Sequence, residues 1–212
     1  MGICIDLHVH TNRYSACSLI DPHQLVKQAA KIGLDGVVIT EHHHQWSEEE
    51  LKVLLEEAGE PNFLLLAGFE YGTGQGDVLI YGLTAETAAS FAHGLPPETV
   101  VEKVHELGGV CVAAHPTRMG MGFDERIASL SLDAIEVQSV NMKHHEQRIA
   151  IGLSAHLGIP ATAGSDAHQL EHVGRYTTAF DDPIQSMRDL QIAFQRGRFH
   201  VFDGAGSNPK AP

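Results

Sequence analysis

The strongest constraint on the fold of this chain is a regular alternation of short β-branched apolar runs with helical patterns. The apolar runs are short enough for strands, and most of them are rich in Val and Ile. TTAF near Thr177 is a candidate eighth strand. The seven predicted strands are ICIDLHVHT from Ile3, DGVVITEH from Asp35, FLLLAGFEY from Phe63, DVLIYGL from Asp77, GVCVAAHP from Gly109, DAIEVQSV from Asp133 and IPATAGSDAH from Ile159.

Four helical patterns lie between these runs: DPHQLVKQAAKIG, SEEELKVLLEEAG, PETVVEKVHELGG and HHEQRIAIGLSAHLG. Pro22 suits the first turn of a helix, and Gly33 suits the C-cap that ends it. Ser47 is predicted to be an N-cap, with Glu50 completing a capping box. The chain therefore has a βαβα order.

Runs that are apolar on both faces and alternate with helices indicate a parallel sheet covered by helices, either open or closed into a barrel. Both arrangements place a functional site at the carboxyl ends of the strands. No linker interrupts residues 1–202, so a single domain is predicted there. The Gly- and Pro-containing segment 203–212 is predicted to be a flexible tail.

The composition argues against several classes of protein. No stretch approaches the ~20 apolar residues that cross a bilayer, and the N-terminus lacks the pattern of a secretory signal. Three cysteines without CxxC spacing fit a reducing, cytoplasmic environment. Lys and Arg total 14 against 27 Asp and Glu. This excess of negative charge argues against a nucleic acid polymer as the partner.

Histidine is the informative residue type, because the 15 histidines outnumber the 14 Lys and Arg together. At least five predicted strands end in a metal-ligand side chain, and another begins with one. Imidazole and carboxylate groups without thiolate suit Zn, Mn or Fe, and their number predicts at least two ions. The candidates, in chain order, are Asp6, His8, His10, Glu41, His42, His43, His44, Glu70, Asp77, His115, Asp166 and His168.

Five motifs carry a resemblance to a known family: DLHVHT from Asp6, ITEHHH from Ile39, GFE from Gly68, AHP from Ala114 and GSDAH from Gly164. Their order and spacing resemble those of the PHP superfamily, the polymerase and histidinol phosphatase proteins. The resemblance implies a distorted (β/α)7 barrel of parallel strands with outer helices. It also implies a site of two or three divalent metal ions that hydrolyses phosphoesters.

The resemblance implies roles for individual residues as well. Glu70 would bridge the first metal to a second that His115 also binds. Asp77 or Val78 stands where many members have a histidine ligand, and Asp77 would substitute as an oxygen ligand. NRYSACS after His10 lacks an obvious ligand for a third metal. The implied first-metal ligands are His8, His10, Glu70 and Asp166, and the residues implied to face a third metal are His42 and His168.

The chemistry expected at such a site is attack of a metal-activated water on phosphorus. His168 or His42, whichever is not a ligand, is the predicted proton donor to the leaving group. Three arginines follow ligand-bearing strands and are candidates to bind the phosphate: Arg13, Arg118 and Arg175. Surface ion pairs are their alternative role, and Arg118 is preferred because it lies in the Gly-rich stretch TRMGMG.

The predicted function is hydrolysis of a small phosphorylated metabolite or nucleotide. The alternatives are an exonuclease-type phosphodiesterase, an amidohydrolase-like enzyme that cleaves C–N bonds, and a non-catalytic metal-binding regulatory domain. The negative charge weighs against the first alternative. The second would need a lysine at a strand end, and no predicted strand ends in lysine.

Overall fold

The computed structural model describes residues 2–202, so the tail predicted at 203–212 lies outside the described residues. Every predicted strand and helix is present in this part of the chain, including the candidate eighth strand. The strands are β1 (Ile3–Val9), β2 (Gly36–His42), β3 (Leu64–Gly72), β4 (Asp77–Tyr81), β5 (Val110–Ala114), β6 (Ala134–Gln138), β7 (Ala161–Ala163), β8 (Thr178–Phe180) and β9 (Phe199–Val201). The helices are α1 (Pro22–Lys31), α2 (Glu48–Ala58), α3 (Ala85–Ala89), α4 (Pro97–Glu106), α5 (His144–Leu157) and α6 (Met187–Arg196), with 3-10 turns at Glu125–Ser129 and Leu170–His172.

The strands form one sheet in the order β7-β6-β5-β4-β3-β2-β1-β8-β9. The two ends of this sheet approach each other, since β9 lies against β7. Thr178 Oγ1 on β8 also accepts a hydrogen bond from the Ala163 amide on β7 and donates one to its carbonyl oxygen, both at 2.9 Å. The sheet is thus a nearly closed barrel with outer helices, which confirms the predicted fold class.

Not all strands are parallel. β4 runs antiparallel to both β3 and β5, and β8 and β9 are antiparallel to their neighbours. Only residues 73–76 join β3 to β4, and a loop this short forms a hairpin and cannot make a parallel crossover. The reversal places Asp77, at the start of β4, opposite Gly72 and Ala114, at the ends of β3 and β5. Asp77 therefore lies at the same rim as the other strand ends.

The helices cover the sheet through three apolar clusters. α1 and α2 pack on β1, β2 and β3, whereas α4 and α5 pack on β4, β5 and β6. α6 joins a third cluster, in which Phe194 stacks on Tyr81 with ring centroids 5.9 Å apart. No helix between residues 2 and 202 combines the length and the apolar character that a membrane span requires.

The helix ends follow the predicted chemistry with one shift. Ser47 and Glu50 form the predicted capping box at the start of α2. α1 has Ile32 as its C-cap, and Gly33 is the next residue, with φ 73°. Gly33 was therefore misplaced by one position as the C-cap, although it supplies the left-handed residue that commonly follows a helix.

Candidate metal centre

Side chains from five strand ends meet at one rim of the barrel. β1 supplies His8, and His10 follows the end of the same strand. A register irregularity between Asp6 and Val9 on β1 precedes this point, and Val9 forms an isolated bridge to Ala167. Five of the predicted ligands are buried here: His8, His10, Glu70, His115 and Asp166.

Four donor atoms converge at this rim: His8 Nε2, His10 Nε2, Glu70 Oε2 and Asp166 Oδ1. The two imidazole nitrogens are 3.0 Å apart. Each lies 3.3 to 3.6 Å from the two carboxylate oxygens. A tetrahedron with bonds of about 2.1 Å has edges of about 3.4 Å. The spacing therefore fits one Zn-sized ion at the centre of these atoms.

The hydrogen bonding of the cluster also fits a cation. Glu70 Oε2 is buried, and no described residue offers it a well-aligned hydrogen bond, although His42 Nδ1 lies only 2.9 Å away. Burial opposes the charge of Glu70, yet the attraction of His8 and the other imidazoles holds the pKa of Glu70 well below its usual range. A buried carboxylate oxygen without an aligned donor is costly in a protein unless a positive charge binds it.

A second group of ligands adjoins the first. Glu70 Oε1 is 3.0 Å from His115 Nε2, and Asp77 Oδ2 is 3.9 Å from the same nitrogen. Burial and the neighbouring Glu70 carboxylate raise the pKa of Asp77 to about 6. Burial would lower the pKa of His115, but its hydrogen bond to Glu70 and the surrounding carboxylates raise it to about 9. Glu70 thus belongs to both groups of candidate ligands, with Oε2 near His8 and His10 and Oε1 near His115.

His42 and His168 lie at the mouth of the cluster. Their rings lie 4.4 and 4.5 Å from the His10 ring, measured between centroids. The exposed fraction of the side chain is 42% for His42 and 26% for His168. One nitrogen from each of the three imidazoles lies within 4.8 Å of the other two, so the three nitrogens are close enough together to bind a third ion. Its exposure equally suits contact with a substrate.

Of the three predicted arginines, Arg118 is the one whose guanidinium lies near a cluster carboxylate: Nη1 is 3.8 Å from Asp166 Oδ2. Arg13 is exposed, and its guanidinium lies over the rings of Tyr14 and Trp46, at 5.5 and 5.9 Å. Arg175 is also exposed. Among the ion pairs of residues 2–202, neither Arg13 nor Arg175 contacts the cluster.

The structure adds three residues that the sequence interpretation did not single out. Glu136 on β6 contacts His8 Nδ1 at 3.0 Å. Asn141 Nδ2 donates to Asp166 Oδ2 at 2.8 Å. Ser15 Oγ donates to Glu41 at 2.5 Å and lies 3.4 Å from His10 Nδ1. Glu136 carried a signal, because it is the single charged residue of β6 and lies between the apolar residues Ile135 and Val137.

Glu41 had been grouped with the possible ligands, but the structure places it elsewhere. It is buried on the other face of β2, where it accepts hydrogen bonds from Thr11, Ser15 and Trp46 Nε1. Strand alternation explains this position, because consecutive residues of β2 point to opposite faces. Glu41 therefore supports the segment after β1 from behind the cluster.

The chain matches a family model described as PHP-associated over residues 144–199. It is also 32% identical, over 143 residues, to an uncharacterized protein of Methanocaldococcus jannaschii. That alignment covers 62% of this chain and 79% of the archaeal protein.

Two solved structures share the fold. One is a two-domain protein of Bacteroides vulgatus that contains a predicted PHP-like metal-dependent phosphoesterase, with a TM-score of 0.68 and 17% identity. The match covers 95% of this chain and 65% of that longer protein. The other is an amidohydrolase of Chromobacterium violaceum with bound sulfate, with a TM-score of 0.60 and 17% identity over 96% of this chain and 99% of that one.

Proposed function

The chain belongs to the PHP superfamily, and we propose on that basis that it is a metal-dependent phosphoesterase acting on a small phosphorylated metabolite or nucleotide. The tetrahedral spacing of the His8, His10, Glu70 and Asp166 donor atoms carries the proposal. The net charge of −13 favours a small substrate over a nucleic acid polymer. We expect the protein to work in the cytoplasm, where its three free cysteines stay reduced.

In this proposal His8, His10, Glu70 and Asp166 hold one divalent ion. Glu70, His115 and Asp77 hold a second, with Glu70 shared between the two. The ions would be Zn, Mn or Fe, since the donors are imidazole nitrogens and carboxylate oxygens. Bound there, they would supply Lewis-acid activation of water and neutralise the charge on the phosphate oxygens.

The residues at the mouth of the cluster have complementary tasks in this proposal. Arg118 binds a phosphate oxygen next to Asp166, because a guanidinium offers several parallel donors to a phosphate. Asn141 keeps Asp166 oriented through its amide hydrogen bond. His168 or His42 donates a proton to the leaving alkoxide, since both are exposed enough to reach it. His42 and His168 could instead bind a third ion.

The test is hydrolysis of a panel of substrates by the purified protein with added Mn²⁺ or Zn²⁺. The panel contains p-nitrophenyl phosphate, its bis-ester, phosphorylated metabolites, nucleotides and amides. We expect release of phosphate from one or more monoesters, loss of this activity with EDTA and its return on addition of metal. An Asp166→Asn variant should lack the activity at every metal concentration that activates the wild type.

The other outcomes identify the alternatives. Turnover of amides alone would support the amidohydrolase-like alternative. The amidohydrolase of Chromobacterium violaceum has a fold similar to that of this chain. Turnover of the bis-ester alone would indicate a phosphodiesterase. Metal binding without any turnover across the panel would indicate a regulatory domain. Each of these three results would contradict the proposed monoester activity.

A further inference from the structure

We propose that Glu136 is a positioning residue that fixes the tautomer of His8 and thereby sets the metal affinity of the centre. Glu136 lies on β6 and is 1% exposed. Its Oε1 is 3.0 Å from His8 Nδ1, and its Oε2 accepts a hydrogen bond from the His115 amide at 2.8 Å. One carboxylate thus holds two candidate ligands from different strands. The inference rests on the proposed function in one respect, namely that the cluster binds metal.

The tautomer follows from what each atom can donate. An ionised carboxylate has no hydrogen to give, so the hydrogen between His8 and Glu136 belongs to His8 Nδ1. The neutral His8 ring then has its lone pair on Nε2. This atom faces the cluster, 3.0 Å from His10 Nε2 and 3.5 Å from Asp166 Oδ1. Glu136 therefore turns the metal-binding nitrogen of His8 toward the predicted ion.

The second hydrogen bond of Glu136 acts on the backbone of another ligand. His115 has a φ of 30°, a left-handed conformation that a residue with a side chain rarely adopts. Its amide donates to Glu136 Oε2, which satisfies this buried N–H at the point where β5 ends. Glu136 thus links the ring of His8 to the backbone orientation of His115.

His10 has a different support. The nearest partner of its Nδ1 is Ser15 Oγ, at 3.4 Å, and that hydroxyl already donates to Glu41. A charged acceptor at 3.0 Å holds an imidazole more strongly than a neutral hydroxyl at 3.4 Å does. Loss of Glu136 should therefore weaken metal binding more than loss of the Ser15 hydroxyl.

The experiment compares Zn²⁺ affinity, measured by competition with a chelator, in the wild type and in Glu136→Ala, Glu136→Gln and Ser15→Ala. Removal of the carboxylate partner of a ligating histidine typically costs 10–100-fold in metal affinity. We expect a loss of about this size for Glu136→Ala, a smaller loss for Glu136→Gln and the smallest for Ser15→Ala. The amide of the Gln variant can still accept from His8 Nδ1, which explains its intermediate rank.

Glu146→Gln is the matched control. Glu146 is also a buried carboxylate, and it accepts hydrogen bonds from the backbone amides of Lys143 and Met119, without contacting a candidate ligand. We expect the Zn²⁺ affinity of the Glu146→Gln variant to stay within about twofold of the wild type. This change is far below the 10–100-fold loss that is typical when the hydrogen-bond partner of a metal ligand is removed. The comparison separates loss of a buried charge from loss of the contact with His8.

A spectroscopic measurement tests the tautomer directly in the wild type. Two-dimensional ¹H–¹⁵N spectra of the Zn²⁺-loaded protein, with His8 assigned through a His8→Asn variant, should show a hydrogen on His8 Nδ1 and none on Nε2. This result does not depend on whether the Glu136 variants fold.

The possible failures are distinct. If the wild type binds no Zn²⁺, the proposed function fails together with the metal site. If the wild type binds Zn²⁺ but His8 carries its hydrogen on Nε2, the positioning role of Glu136 is wrong while the proposed function stands. The same conclusion follows if a folded Glu136→Ala variant binds Zn²⁺ as tightly as the wild type.

Discussion

At the scale of single residues, the metal centre depends on a position where only a hydrogen fits. Gly164 lies two residues before Asp166, and its backbone lies directly against His8. A Cβ at Gly164 would lie 2.6 Å from His8 Cβ, 2.9 Å from the backbone nitrogen of His8 and 3.1 Å from Glu136 Oε1. The contacted atoms belong to the backbone of His8 and to the side chains of His8 and Glu136, which are buried and hydrogen bonded to each other. These atoms cannot move easily to make room for a Cβ.

We therefore predict that Gly164→Ala lowers the free energy of unfolding by about 1–3 kcal/mol, the usual cost of forcing an extra carbon into a packed interior. Zn²⁺ affinity should fall as well, because His8 and Glu136 must move. Urea unfolding and chelator competition measure the two effects.

Gly152→Ala is the control, since a Cβ there meets nothing within 4 Å. Gly152 lies within α5, where alanine should stabilise the helix by about 0.5–1 kcal/mol. Equal effects of the two substitutions would contradict the packing argument.

His168 provides the second prediction at this scale. If it acts as a proton donor and not as a ligand of the first two ions, His168→Asn should retain their metal content. Turnover should fall by about 10²- to 10⁴-fold, the usual contribution of a general acid. Metal analysis and steady-state kinetics measure these quantities, and His156→Asn, an exposed position on α5, is the control. Full turnover with the metals retained would eliminate His168 as the proton donor.

At the scale of elements, the sequence predicted a strand and its part in the site where an apolar run is followed directly by a polar side chain. The strands with His8, His115 and Asp166 at or just after their carboxyl ends could be identified because apolar runs give way there to polar side chains. The carboxyl ends of parallel strands meet at one edge, which predicts that these side chains lie together. The direction of β4 could not be read from DVLIY, since an apolar strand looks alike in both directions. The relevant signal was the four-residue connection 73–76, which includes Gly74 and Gly76 at positive φ.

The sequence interpretation missed the five-residue helix α3, and it also missed α6 and β9 near the end of the described chain. α6 has an N-cap at Ser186, where Oγ accepts from the Asp189 amide, and a left-handed glycine at Gly197. These signals were present, so α6 could have been predicted from its caps. The three-residue strand β9 carries too short a pattern to identify, because its pairing with β8 depends on tertiary position.

The capping box of α2 yields a prediction that separates the scaffold from the site. Ser47 Oγ accepts from the Glu50 amide at 3.3 Å, and Glu50 Oε2 accepts from the Ser47 amide at 2.9 Å. Ser47→Ala should lower the free energy of unfolding by about 1 kcal/mol, and Ser47→Gly by only a few tenths. Zn²⁺ affinity should not change, because α2 supplies no candidate ligand. Chemical denaturation and chelator competition measure both. A loss of Zn²⁺ affinity would show that the helix supports the centre.

At the scale of the whole molecule, we expect a cation bound at the buried cluster to stabilise the folded chain. Burial opposes the charge of Glu70 and Asp166, although the imidazoles around them hold the pKa of both carboxyls below their usual values. A divalent ion bound to the folded chain alone stabilises it by mass action. At a free concentration 100 times the dissociation constant, the gain is about 2.7 kcal/mol for one site.

This gain should be visible in thermal unfolding. For a chain of about this length, 1 kcal/mol shifts Tm by roughly 2–4 °C. We therefore predict that EDTA treatment lowers Tm by about 5–10 °C relative to protein with saturating Zn²⁺, and that restoring Zn²⁺ reverses the change. Asp166→Asn removes one of the four tetrahedral donors and should abolish most of the shift. An equal shift in this variant would mean that Zn²⁺ stabilises the protein at some other place. Differential scanning calorimetry at matched ionic strength distinguishes these outcomes, since screening of the surface charge is then the same in every sample.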